Sequence, residues 1–79
     1  MFFAKNEIIE LDDKKNYFVL DAAIIDNEIF YQIQEVNEQE AELIGPKTIV
    51  LAVNDDGSLY IEDATDEEKL AKLKERFAN

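Results

Sequence analysis

A chain of 79 residues has room for one small domain. With 47% hydrophobic residues, two glycines and one proline, it is too apolar to stay disordered despite a formal net charge of −11. It contains no cysteine and no histidine, which excludes disulfides, thiolate metal sites and imidazole chemistry.

The excess of negative charge lies in residues 1–63, which contain 15 acidic and 4 basic residues, whereas residues 64–79 contain 4 of each. An acidic chain repels phosphate backbones and anionic lipid headgroups, so we expect no direct binding to nucleic acid and none to membranes. A basic protein surface is its electrostatic complement. The lack of cysteine suits a reducing compartment, and we expect a cytoplasmic protein.

The first part of the chain predicts two strands. Residues 2–11 form the first, and a polar turn follows at residues 12–15. Residues 16–25 are almost continuously apolar, which is typical of a central strand covered on both faces. Asp21 interrupts this run, and a bulge or a water-facing position explains it better than a buried carboxylate.

A turn at Asp26-Asn27 leads to a third strand over residues 28–36, because both turn residues tolerate the left-handed region that a type I′ hairpin needs. This strand alternates, which predicts one buried face and one face in water. The buried face carries Ile29, Tyr31 and Ile33.

An acidic loop is expected at residues 37–42, and Gly45-Pro46 marks a break before a fourth strand over residues 47–54. Gly57 then predicts a tight hairpin turn into a fifth strand over residues 58–62.

The last segment changes to a helical period. Thr65 and Glu68 have the spacing of a capping box, which predicts a helix over residues 66–77. Its apolar stripe consists of Leu70, Leu73 and Phe77. The whole pattern predicts a single α+β domain over residues 1–79, with an antiparallel sheet of four to five strands and one C-terminal helix packed on it. Strand order stays open, and we expect a monomer or a weak homodimer.

In order and spacing, the segment from Ile8 to Phe77 resembles the YrzB-like family of short acidic bacterial proteins, a domain of unknown function. The resemblance is carried mainly by the turn and strand Asp56-Gly57-Ser58-Leu59, by Ile61-Glu62-Asp63, and by the acidic helix start Thr65-Asp66-Glu67-Glu68. It implies a small cytoplasmic domain without enzymatic activity. It implies no catalytic or binding residues.

Candidate chemistry is sparse. The stretch Asn54–Gly57 resembles part of a calcium loop, but Ala52 would occupy the first ligand position and has no side-chain oxygen, so a hairpin turn is the better interpretation. Ser58 has no histidine to activate it. The adjacent acidic pairs fall in turns or at the helix start, where solvation is easy. We therefore expect no enzyme, no metal and no cofactor.

The acidic surface has three interpretations that the sequence leaves open. It serves solubility alone, or it binds a basic partner in a non-catalytic interaction module, or it imitates DNA and inhibits a DNA-binding protein or nuclease. The candidate interaction surface consists of Glu35, Glu38, Glu40, Glu42, Asp55 and Asp56.

Overall fold

The computed structural model describes residues 3–78 and contains a five-stranded antiparallel sheet followed by one helix. The strands run in chain order, so each is paired with its sequence neighbour. This confirms the predicted α+β class with a C-terminal helix. The elements are β1 (Ile8–Glu10), β2 (Asn16–Ile25), β3 (Glu28–Asn37), β4 (Glu42–Asp55), β5 (Ser58–Asp63) and α1 (Glu67–Phe77).

Two tight turns that the sequence predicted are confirmed. Asp26 and Asn27 have φ of 51° and 65° between β2 and β3, and Asp56 and Gly57 have φ of 51° and 82° between β4 and β5. Positive φ at both central positions is the geometry of the type I′ turn, whose twist matches that of the strands. These turns align the hairpins and set their registers.

The predicted first strand, residues 2–11, is much shorter in the structure. Only Ile8–Glu10 pair with β2 as a strand, and Phe2 lies outside the described residues. Upstream, Asn6 has a φ of 74° and the Glu7 N–H donates to the Ala4 carbonyl at 3.1 Å, so the chain turns there. A left-handed residue interrupts the extended backbone that a longer strand requires.

The fourth strand begins earlier than predicted, at Glu42 instead of residue 47. Gly45-Pro46 therefore does not separate a loop from a strand but forms a bulge inside β4, where the pairing passes from Ile33↔Thr48 to Glu35↔Ile44. Gly45 has a φ of 75°, which a glycine adopts without a steric penalty. The acidic loop correspondingly shrinks to a turn over residues 38–41.

The curled sheet has an apolar cluster on each face. The inner cluster contains the predicted buried residues Tyr31 and Ile33, and its buried members are Ile9, Val19, Tyr31, Ile33, Val50 and Ala52. On the outer face, which the alternation in residues 28–36 assigned to water, α1 covers part of the sheet. There Leu73 and Phe77 pack with Ala23 and Phe30. Of the predicted helical stripe, Leu73 and Phe77 are confirmed as buried, and Leu70 is half-buried. The prediction of a wet outer face is wrong at Phe30, which packs with the helix.

Tyr31 anchors the inner cluster. Its side chain is fully buried, and its hydroxyl accepts a hydrogen bond from the Phe3 N–H at 3.0 Å. The Phe3 ring packs edge-on against it, with centroids 5.4 Å apart. This contact ties the segment before β1 to the centre of the sheet.

The helix is capped by Asp66, and the predicted cap at Thr65 is wrong by one residue. Asp66 Oδ1 accepts from the Glu68 N–H at 3.0 Å and from the Lys69 N–H at 3.2 Å. A carboxylate at this position satisfies two free backbone donors and also interacts favourably with the positive end of the helix dipole. Thr65 is exposed one residue earlier.

The cap assignment predicts that Asp66→Ala lowers the free energy of unfolding by about 1 kcal/mol, because two backbone donors lose their acceptor. Thr65→Ala is the matched control, and we expect a change within about 0.5 kcal/mol. Urea denaturation followed by circular dichroism measures both. A larger loss of unfolding free energy for Thr65→Ala than for Asp66→Ala would show that Thr65 is the cap.

Candidate functional site

The six candidate acidic residues do not form one surface. Glu42 begins β4 and Asp55 ends it, 14 strand residues in all. At roughly 3.3 Å per residue a straight strand of this length would span about 43 Å. The bulge and the curl of the sheet keep β4 within the 37 Å extent of the molecule, and its two ends lie far apart. The candidates therefore split into a group at the β3–β4 turn and a pair at the β4–β5 turn.

The group at the β3–β4 turn contains four of the candidates. Glu38, Glu40 and Glu42 are exposed, whereas Glu35 is half-buried and its Oε1 lies 3.8 Å from Lys15 Nζ. Asn37 shapes the turn, because its Oδ1 accepts from the Gln39 N–H at 3.0 Å and from the Glu40 N–H at 3.4 Å. The three carboxylates therefore face water. We call this segment, residues 38–42, the acidic turn.

The remaining candidates, Asp55 and Asp56, belong to a hairpin. Asp55 pairs with Ser58, and Asp56 occupies the turn. This geometry confirms the hairpin interpretation of the stretch that resembled a calcium loop. Within residues 3–78, no group of three or more acidic side chains is arranged to hold a metal ion.

Lys69 joins the helix to the β2–β3 hairpin. Its ammonium donates a hydrogen bond to Glu28 Oε1 and lies 4.0 Å from Asp26 Oδ2. The hydrogen bond to Glu28, together with the nearby charges of Glu28, Asp66 and Asp26, raises the pKa of Lys69, and partial burial opposes the shift. The position is structural, because it fixes the first turn of α1 to the sheet.

Asp21 lies next to a bulge in β2, which is one of the two explanations that the sequence favoured. The register shifts between Val19 and Asp21, and Asp21 Oδ1 accepts from the Ala22 N–H at 2.8 Å. Its side chain is half-buried. The carboxylate therefore supports the irregular backbone of the bulge.

Asp13 and Tyr17 form a hydrogen bond at the end of the sheet near the acidic turn. The Tyr17 hydroxyl donates to Asp13 Oδ2 at 2.7 Å, and the Lys15 N–H donates to Asp13 Oδ1 at 2.9 Å. The bond from Tyr17, with that from Lys15, lowers the pKa of Asp13. Hydrogen bonding to Asp13 and then burial raise the pKa of Tyr17 to about 12.

An apolar depression on the outer face was not predicted. Four adjacent strands each contribute one apolar side chain to it, and its volume is about 400 Å³. Ile8 and Leu43 remain 45% and 43% exposed. We call it the outer groove, and it is lined by Ile8, Phe18, Val36 and Leu43, with Ala41 and Glu38 at its edge. Three of these apolar residues were visible as strand positions, but only the strand order and the β3–β4 register bring them together.

In the part of the chain that the structure describes, no helix is long and apolar enough to cross a membrane. Comparisons with known proteins add no relative: no family model, no curated protein and no solved structure matches the chain. The resemblance to the YrzB-like family stays a prediction.

The hydrogen bond between Asp13 and Tyr17 predicts a pH dependence. Because the folded pKa of Tyr17, about 12, exceeds its ordinary value of 10.0, the bond stabilises the fold fully below pH 10 and loses this contribution as the pH rises to about 12. For Asp13 the sign is opposite, since its lowered pKa makes the contribution disappear in acid, as the pH falls below 3.8.

Absorbance titration of tyrosine should therefore reveal a phenol with a pKa of about 12 that Tyr17→Phe removes. We expect Asp13→Ala to lower that pKa toward 10.0, whereas Asp12→Ala, a change at the exposed neighbour, leaves it in place. A high pKa that persists in Asp13→Ala would contradict the assigned cause.

Proposed function

We propose that this chain is a small, non-catalytic interaction module of the cytoplasm that binds a basic surface of a partner protein. The observation that carries the proposal is the acidic turn, where Glu38, Glu40 and Glu42 stand exposed at one end of the sheet. The described ion pairs use Lys15 with Glu35, and Lys69 with Glu28 and Asp26. They leave the acidic turn to solvent and to partners.

Charge of this size has a cost for a small protein. A net charge of −11 on 79 residues raises the energy of the compact state through self-repulsion, and a basic partner relieves it. Association between such surfaces is fast and weakens with salt, since exposed charges are screened over about 8 Å at physiological ionic strength.

The exposure of the acidic side chains favours a binding role over a catalytic one. Among residues 3–78 no aspartate or glutamate is buried, so no acidic group is enclosed in an apolar site of the kind that tunes a general acid or base. Ser58 is exposed beside a turn. The YrzB-like resemblance agrees with a non-enzymatic module and enters here as part of the proposal.

The alternative, a DNA mimic, needs a dense row of carboxylates on one face. The six candidates divide between the two ends of β4, with only the acidic turn and Glu35 at one of them. We therefore favour a basic protein surface as the partner and keep DNA displacement as an outcome of the test.

The proposal predicts that capture of basic proteins from native lysate depends on where the charge lies. Glu38→Gln with Glu40→Gln, and Asp55→Asn with Asp56→Asn, each remove two charges and change the net charge from −11 to −9. We expect the first pair to reduce capture severalfold at about 150 mM salt and the second pair to leave it unchanged.

Equal capture by the native protein and both variants, or no capture even at about 50 mM salt, would assign the charge to solubility alone. Captured DNA-binding proteins that release their DNA when the native protein is added would favour mimicry instead.

A further inference from the structure

The outer groove is the part of the outer face that α1 leaves open. Along β3, alternate residues face outward: Phe30 packs under the helix, Gln32 and Gln34 follow, and Val36 lies in the groove. Phe77 and Ala78 at the end of α1 line one depression together with Gln32. No side chain of residues 3–78 covers the apolar surface beyond the glutamines, since Ile8 and Leu43 remain exposed.

The shape of the groove fits a helix. Four neighbouring strands spaced about 4.8 Å apart give a row roughly 14 Å wide, which corresponds to about three helical turns. The sheet already binds a helix of this size on the same face, since α1 has 11 residues and places Leu73 and Phe77 on Phe30. A second helix with a similar apolar stripe would extend the same layer.

The charge around the groove selects among possible occupants. Glu38 lies at its edge, Glu40 and Glu42 are exposed in the acidic turn, and Glu10 neighbours Ile8 on the same face of β1. Lys14 and Lys15 belong to the neighbouring turn between β1 and β2, and Lys15 pairs with Glu35. A second copy of this chain brings another net charge of −11 to the contact, whereas a basic helix brings the complementary sign.

We propose that the outer groove binds a basic amphipathic helix of a partner protein, whose apolar side chains contact Ile8, Phe18, Val36 and Leu43 and whose lysine or arginine side chains meet the acidic turn. This inference rests on the proposed function and locates its surface. The apolar contacts supply affinity and position, and the carboxylates supply the choice of a basic partner.

The test uses a synthetic helical peptide of about 14 residues, built from leucine and lysine with the leucines on one face, and a second peptide in which serine replaces every leucine. Titration calorimetry with the full chain measures both affinities. We expect the leucine peptide to bind about tenfold more tightly than the serine peptide, because only the leucines bury apolar surface in the groove.

Leu43→Ser probes the groove, and Leu59→Ser is its matched control, since the two leucines are 43% and 41% exposed and Leu59 lies in β5 outside the groove. Leu43→Ser should remove most of the tenfold preference, and Leu59→Ser should preserve it. A second matched pair, Ile8→Thr against Ile24→Thr, repeats the comparison if Leu43→Ser does not fold by circular dichroism.

The outcomes separate this inference from the proposed function. If the two peptides bind with equal affinity and Leu43→Ser does not change it, the groove is not the binding site. The proposal of a basic partner is then unaffected. Failure of both peptides to bind at about 50 mM salt overturns both. Dimerisation of the native protein in sedimentation that Leu43→Ser abolishes identifies a second copy as the occupant and also overturns the proposal.

Discussion

The packing of α1 on the outer face of the sheet is the contact that decides which part of that face is covered and which part stays open. Leu73 and Phe77 are buried against Ala23 and Phe30, and each such side chain contributes about 2 kcal/mol through apolar burial. Without the helix the sheet would expose Ala23 and Phe30 on its outer face, whereas the inner cluster around Tyr31 contains no residue of α1. Since α1 has only 11 residues, it covers part of the outer face and leaves the groove.

The acidic groups are arranged around this packing without entering it. Two cations perform structural work, because Lys69 ties the helix start to the β2–β3 hairpin and Lys15 reaches Glu35 at the other end of the sheet. The carboxylates of the acidic turn have no such role in the described contacts, and they stand beside the uncovered groove. Apolar surface next to unneutralised charge is a combination suited to recognition of a basic, amphipathic partner.

The sequence was informative where local chemistry determines local structure. Gly57 and the pair Asp26-Asn27 predicted tight turns because few residues tolerate positive φ, and the spacing of Leu73 and Phe77 predicted the buried helical stripe. The predictions from sequence failed where one sequence pattern is typical of two different structures. Gly45-Pro46 is equally typical of a loop and of a bulge, and adjacent Thr65 and Asp66 are both good capping residues. The groove depends on the strand order and on the β3–β4 register, which the bulge at Gly45-Pro46 shifts, so no single local pattern indicated it.

Nuclear Overhauser contacts from the helix in the free protein test this account most directly. The account predicts contacts from Leu73 and Phe77 to Phe30 and Ala23, and none from α1 to Phe18 or Leu43. Contacts between the helix and Leu43 would contradict it, because the chain would then close the groove with its own helix and leave no apolar surface for a partner.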